Sequence, residues 1–316
     1  MLEPIFLQPY FREKIWGGEK LREDFNFDIP SDHTGEAWII SGHPHGQSII
    51  SYPPKMNGQR LGDLYKERPD LFGYENKEDF PLLVKILDAQ GDLSVQVHPD
   101  DSYAKIHEND LGKRECWYIL SAEPSAKIIY GHNAKSKAEF RQMVKEGNWN
   151  DLLREIPVKA GEFYDVPHGT IHAIGAGVTI LETQQSSDTT YRVYDYDRTD
   201  SLGKKRQLHI DQSIEVAMIP HRDPKNEPDI KQLGQSYLTH FISHNYFSVY
   251  KLEVRNQVNI KLDDPYTLVT VIEGQGQIIY QDQTYKISKG SSFILPYKIS
   301  EVSLKGNLDL IASRPN

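Results

Sequence analysis

Residues 94–120 read SVQVHPDDSYAKIHENDLGKRECWYIL. The stretch opens with the alternation of a strand, and because residues two apart in a strand share a face, Gln96 and His98 project together. Pro99 then stops the pairing, cap-type aspartates start a short helical pattern over 100–110, and a second strand begins at Glu115 in ECWYIL. Two metal-capable side chains on one face cannot hold an ion tightly, so further donors must come from elsewhere. The candidates are Glu115 and His172, the latter in PHGTIH (167–172). Imidazole and carboxylate suit Zn2+, with the Gln96 amide oxygen as a weaker neutral partner, at about 2.0–2.2 Å. Such a set leaves room for a water or a substrate oxygen, as a catalytic centre requires, and the insertion from Pro99 to Arg114 would roof it. Each residue taken alone also fits plain packing, and spacing leaves both readings open. His43 and His45 in SGHPHG share the spacing of two, but proline and glycine make that segment a turn.

Working outward, most of the chain reads as short strands rich in β-branched residues and punctuated by Gly, Pro, Asn and Asp, which predicts a mainly β protein with a few short helices. Helical patterns fall at 60–73, 100–110, 136–157 and 211–220. In the third, Ser136 and Glu139 form a capping box, and Pro157 is the expected stop. A weak internal repeat relates WYILSAEPSAKIIY (117–130) to VTVIEGQGQIIY (269–280), each followed by a glycine-to-proline strand, GEFYDVP (161–167) and GSSFILP (290–296). Two such copies predict two small barrels or jelly rolls in tandem. Only the first copy carries a histidine, His172, five residues after its proline; the second has Glu301 there. A single metal centre therefore belongs to the first barrel. HRDPKNEPD (221–229) reads as a boundary.

The 316 residues, 38% hydrophobic, can bury a sizeable core. A net charge of −9 disfavours a nucleic-acid face, and the one basic run, GKKRQ at 203–207, reads as a solvated turn. An anionic substrate stays open if positive charge is concentrated locally. The amino-terminal segment lacks the apolar block of a signal peptide, and no stretch reads as a membrane span. Cys116 is the one cysteine, which excludes an internal disulfide and fits a reducing compartment, the cytoplasm by default.

Taken together, SVQVHPDD, the glutamate of KRECWYIL, PHGTIHAIG and SSDTTYRVYDYDR resemble the type I mannose-6-phosphate isomerases, zinc enzymes of the cupin superfamily. IWGG (15–18), TGEAWIISGHP (34–44) and PLLVKIL (81–87) extend the likeness over most of residues 5–200. The chain looks like the short bacterial form. The resemblance implies a catalytic cupin domain over 1–220 with helical insertions, and a degenerate second cupin barrel over 221–316, free to pack with the amino-terminal strands. It implies one Zn2+ per chain on Gln96, His98, Glu115 and His172. It implies catalytic roles for Arg192, Glu182 and Lys85, and a substrate phosphate held by Ser94, Lys113 and Arg198. The stretch between His172 and Glu182 is one residue longer than in the long forms, which loosens the Glu182 assignment.

The implied reaction interconverts mannose 6-phosphate and fructose 6-phosphate through a cis-enediol. Its base must lie within about 2.6–3.2 Å of the migrating proton, and Glu182 and a metal-bound hydroxide are both eligible. Arg192, permanently charged, is suited to stabilising the enediolate or orienting substrate. The phosphate, close to dianionic with a second pKa of about 6, needs a local positive clamp. Other readings are a different metal-cupin enzyme, such as an Fe(II) oxygenase, or a sugar-binding cupin without catalysis. Trp16 and Trp38 are expected in the core or the pocket wall.

Overall fold

The computed structural model describes residues 2–74, 79–199, 203–262 and 265–316. Among them the ladder pairs form three antiparallel sheets. A six-stranded sheet runs in the order Phe163–Val166, Glu115–Ala122, Val178–Gln185, Leu82–Ala89, Thr34–Ser41, Tyr10–Gly18. A five-stranded sheet runs Tyr191–Tyr194, Val95–Val97, His172–Ile174, Lys127–His132, Leu153–Pro157. The facing sides of these two sheets share one core, with Leu87, Trp117, Ile119 and Ile180 from the first against Ile128, Tyr130 and Ile174 from the second. That is the first barrel.

Period-two alternation decides what each outer face meets. On the five-stranded sheet, Val97, Ile129, Ala173 and Val193 point outward and pack on Phe140, Leu152 and Ile214 of three short helices, Lys137–Glu146, Trp149–Leu152 and Ile210–Val216. On the six-stranded sheet, Ala37, Ile86, Cys116 and Leu181 point outward onto Leu268, Ile294 and Ile311 of the third sheet. The six-stranded sheet is thus a middle layer, and its strands Leu82–Ala89 and Val178–Gln185 are buried at every residue.

The third sheet is built from Asp229–Leu233, Ser236–Ser243, Phe247–Lys261, Glu301–Pro315, Thr267–Tyr280, Ser292–Leu295, Ile5–Gln8 and Ile49–Tyr52, with Gln283–Ser288 paired to Thr267–Tyr280. It encloses its own core of Val254, Val271, Ile278, Phe293 and Val302. The fold is therefore mainly β, with two cupin-type barrels in tandem. The repeat in the sequence corresponds to a repeat in pairing: Phe163–Val166 lies antiparallel to the start of Glu115–Ala122, and Ser292–Leu295 lies antiparallel to the start of Thr267–Tyr280. Two strands from the amino-terminal region, Ile5–Gln8 and Ile49–Tyr52, join the carboxy-terminal sheet, with Ile5 opposite Ile294.

The helices are shorter than their patterns. Asp100 caps Asp101–His107 by accepting from the Tyr103 N–H. Ser136 caps the next helix on the Glu139 N–H as expected, but that helix stops at Glu146, where Gly147 adopts φ +68° and closes it. Glycine tolerates that left-handed conformation better than any other residue. The rest of the expected helical stretch divides into Trp149–Leu152 and the strand Leu153–Pro157. The pattern at 60–73 breaks at Pro69, giving Leu61–Glu67 and a 3-10 turn, Pro69–Leu71.

An aromatic cluster joins the layers: Phe80 lies 5.2 Å from the ring of Tyr65 and 5.9 Å from that of Tyr266, which belongs to the carboxy-terminal half. Phe80 is 1% exposed. Phe80→Ala is expected to lower the free energy of unfolding by about 3–5 kcal/mol, read from chemical denaturation, with a single transition for both halves.

Candidate functional site

Two cross-strand rows of side chains face each other inside the first barrel. In the six-stranded sheet, register sets Trp38 opposite Lys85, Lys85 opposite Glu182, and Glu182 opposite Trp117. In the five-stranded sheet, Gln96 lies opposite both Arg192 and His172. Glu115, two residues before Trp117 and on the same face, completes the inner end. Side chains directly opposite in antiparallel strands sit about 4.5–5.5 Å apart, so each row is a continuous line of functional groups.

His98, Glu115 and His172 converge, their ligand atoms all within 4.8 Å of one another. His172 Nε2 is 3.2 Å from Glu115 Oε1, and His98 Nε2 is 3.4 Å from Glu115 Oε2. Each imidazole is oriented from behind by a backbone carbonyl: His98 Nδ1 is 2.9 Å from Thr189 O and His172 Nδ1 is 2.9 Å from Thr170 O. A carbonyl only accepts, so each Nδ1 carries the proton and each Nε2 presents a lone pair to the centre. Burial pushes the His172 imidazole down to about 4, and burial, then Lys113 and the other imidazole, push His98 well below its ordinary value. In that tautomer the His172 Nε2 lone pair faces Glu115 Oε1 directly. His172 Nε2 is buried without a hydrogen bond. The chemistry of the set fits a cation bound by nitrogen and oxygen. Gln96 stands beside His172 on the neighbouring strand and lines the cavity in front of the group.

The surrounding charges are buried and interlocked. Lys113 Nζ is 3.1 Å from Glu115 Oε2 and 3.1 Å from His98 Nε2. Burial works to discharge this ammonium, but Glu115 and Glu182 outweigh it and its pKa is raised. Trp117 Nε1 is shared between Glu115 Oε1 and Glu182 Oε2, 3.2 Å from each. Glu182 Oε1 lies 3.4 Å from Lys85 Nζ. Burial, and then Glu115, raise the Glu182 carboxyl, while burial lowers Lys85 against the pull of Glu182 and Glu36. Glu36 goes the other way: burial resists its ionisation, yet Lys85 and Lys14, with hydrogen bonds from Lys14 and Trp38, bring it down to about 2. Lys14 Nζ is 2.9 Å and Trp38 Nε1 2.6 Å from the Glu36 carboxylate.

These groups open into a cavity of about 300 Å3, the lower end of the range for small-molecule sites. Trp16 and Trp38 form part of its wall, as do Ser94, Arg192, Arg206 and His209. Arg192 donates to Ser94 Oγ at 3.2 Å. Of the residues expected at a phosphate, Ser94 faces the cavity, Lys113 lies against the donor set, and Arg198 does not line the cavity but holds Asp195 at 2.6 Å. Arg206, from the basic run expected to be a solvated turn, does line it. Its signal in the sequence was the local excess of positive charge in an acidic chain.

His43, His45 and Asp188 also meet, with His45 Nδ1 2.8 Å from Asp188. His43 Nδ1 accepts the His45 backbone N–H at 3.2 Å, so its neutral form carries the proton on Nε2, the atom facing Asp188. That tautomer is a hydrogen-bond donor and no metal ligand.

Comparison with known proteins agrees with this geometry. Residues 5–124 match the family model for the catalytic domain of phosphomannose isomerase type I, and residues 237–315 match that for the cupin domain of mannose-6-phosphate isomerase. The mannose-6-phosphate isomerase of Streptococcus mutans is 51% identical over 317 residues, covering 100% of this chain and 99% of that one. Mannose-6-phosphate isomerase ManA of Bacillus subtilis is 47% identical over 98% of both chains. The crystal structure of a mannose 6-phosphate isomerase from Bacillus subtilis superposes with a TM-score of 0.96 at 45% identity, over 98% of this chain and 99% of that one. With matches of this identity along its whole length, and a donor set of the kind described, the chain belongs to the type I mannose-6-phosphate isomerases.

Proposed function

We propose that the chain moves a proton between C1 and C2 of mannose 6-phosphate and fructose 6-phosphate through a cis-enediol, at one zinc ion held by Gln96, His98, Glu115 and His172. The observation that carries the reading is the contact of His172 Nε2, buried without a hydrogen bond, with Glu115 Oε1 at 3.2 Å. Two imidazoles, a carboxylate and an amide oxygen are a donor set suited to zinc. A divalent cation bound there supplies Lewis acidity to the oxygens on C1 and C2.

The chain's own groups do the rest. Glu182, its carboxyl raised by burial and by Glu115, is a stronger base than an ordinary glutamate, and we assign it the proton at C1 and C2. Lys85, 3.4 Å away and lowered by burial, is suited to exchange a proton with a sugar oxygen. Trp117 holds Glu115 and Glu182 in fixed relation through its shared N–H. Arg192 orients the substrate and answers charge that develops on oxygen. Ser94 keeps the phosphate. Lys113, against Glu115 and His98, is assigned to the reacting end, and Arg198 to holding Asp195. In this reading residues 1–220 are the catalytic domain and 221–316 a second barrel that backs the middle sheet. A cytoplasmic location fits the lone buried Cys116.

In a coupled assay of mannose 6-phosphate conversion, chelation is expected to abolish turnover and zinc add-back to restore it; activity insensitive to chelation overturns the metal reading. His98→Ala or His172→Ala is expected to lose bound metal, measured by elemental analysis, together with turnover. Glu182→Gln is expected to keep its metal while kcat falls about 10²- to 10⁴-fold with little change in KM. Unchanged kcat in that variant would pass the base role to another group.

A further inference from the structure

The phosphate of the substrate hangs on C6, separated from C2 by four carbon–carbon bonds, so the groups that grip it stand away from the donor set. Ser94 precedes Gln96 by two residues, just ahead of the strand Val95–Val97, a step of about 6–7 Å in extended backbone. At that end of the cavity the segment 206–209, which has no regular secondary structure, is pinned to the edge strand Tyr191–Tyr194. Arg192 N donates to His209 Nδ1 at 3.1 Å, His209 N donates to Arg192 O at 2.7 Å, and Arg192 Nη1 donates to Gln207 O at 3.0 Å. The pinning sets Arg206 and His209 in the wall of the same cavity as Ser94, to whose hydroxyl Arg192 donates at 3.2 Å.

Charge at this end is unbalanced. The Asp195 carboxylate is shared by two guanidiniums: Arg206 reaches it with Nε at 2.7 Å and Nη2 at 2.6 Å, and Arg198 with Nη2 at 2.6 Å. Arg192, next to them, donates to a serine hydroxyl and a carbonyl among the described residues. Around the whole cavity six basic side chains, Arg12, Lys14, Lys85, Lys113, Arg192 and Arg206, stand against three carboxylates, Glu36, Asp188 and Glu182. Because His209 Nδ1 accepts a hydrogen bond, its neutral ring carries the proton on Nε2, which makes that atom a donor. A hydroxyl, a planar guanidinium fork and an imidazole N–H on one wall, with surplus positive charge, are the groups a phosphate dianion requires.

We propose that Arg206, flanked by Ser94 and His209, binds the phosphate of the substrate and makes the enzyme selective for phosphorylated over neutral sugars, a role that rests on the sugar-phosphate reading of this site. Asp195 holds the guanidinium in register in the free protein, and Arg198 keeps that carboxylate neutralised when Arg206 turns to the phosphate.

The test is steady-state kinetics of Arg206→Ala and Arg206→Lys with mannose 6-phosphate, and with inorganic phosphate as competitive inhibitor. For Arg206→Ala, KM and the inhibition constant for inorganic phosphate are expected to rise in parallel by about 10- to 100-fold, more than kcat falls. Arg206→Lys keeps the charge on Asp195 but lacks the fork, and a smaller rise in both constants is expected; this variant decides the matter if the alanine variant does not fold. Unchanged KM and phosphate inhibition in the soluble variants overturn the assignment, as does a fall in kcat alone, which a merely structural role would give. The two readings fail separately. Loss of metal from His98→Ala with normal Arg206→Ala kinetics retires Arg206 alone, whereas metal and turnover retained by His98→Ala retire the metal centre and leave the phosphate measurement standing.

Discussion

Everything at the centre follows from a carboxylate buried where water cannot reach it. Glu115 is fully enclosed, with an imidazole lone pair against one oxygen and a second imidazole and an ammonium against the other. A buried charge is tolerated only when other charges or hydrogen bonds meet it. Lys113 supplies one positive charge and Trp117 one N–H, yet the acceptor-to-acceptor contact with His172 is left over. The donor set is thus arranged for a cation before any arrives. Thr170 and Thr189 carbonyls keep both rings in the tautomer that serves it.

Holding such a set requires strands that cannot slip. A shift of one residue would turn a whole strand's side chains to the opposite face. In the middle sheet the two faces are chemically opposite: Glu36, Lys85, Glu115 and Glu182 look into the first barrel, while Ala37, Ile86, Cys116 and Leu181 look into apolar packing against the second. Register is therefore enforced twice, by charges that must meet charges and by hydrocarbon that must meet hydrocarbon. In this arrangement the second barrel, which carries no donor to the centre among its described residues, still supports the geometry there. Its outer face, through Leu268, Ile294 and Ile311, packs on the back of the strands that carry Lys85, Glu115 and Glu182.

The parts of this arrangement that depend on short range were legible in the residues. Alternation in SVQVH puts Gln96 and His98 on one face, the Asp100 and Ser136 caps are local hydrogen bonds, and the glycine-to-proline repeat reports the pairing of one hairpin unit in each barrel. What depends on distant partners was not. Nothing local tells that 136–157 divides into two helices and a strand, because Leu153–Pro157 becomes a strand by pairing with Lys127–His132. Likewise, a basic run beside glycine looks solvated until the hydrogen bonds of Arg192 to 207 and 209 turn Arg206 into the cavity. Lys113 stands two residues from Glu115, and its ammonium lies 3.1 Å from that carboxylate, a contact that the offset alone does not give.

The pairing of Ile5 with Ile294 sets the order in which the molecule can be finished. On a ribosome adding about 5–20 residues per second, the first strand to emerge waits on the order of tens of seconds for the partner that closes over it. From the completion of Val178–Gln185 until Leu268, Ile294 and Ile311 are made, the apolar back of the middle sheet lacks these partners, so the nascent chain presents an open hydrophobic surface over that stretch of its synthesis. Synthesis of the strands that carry Leu268, Ile294 and Ile311, and not the appearance of His172, is then the event that closes the back of the first barrel.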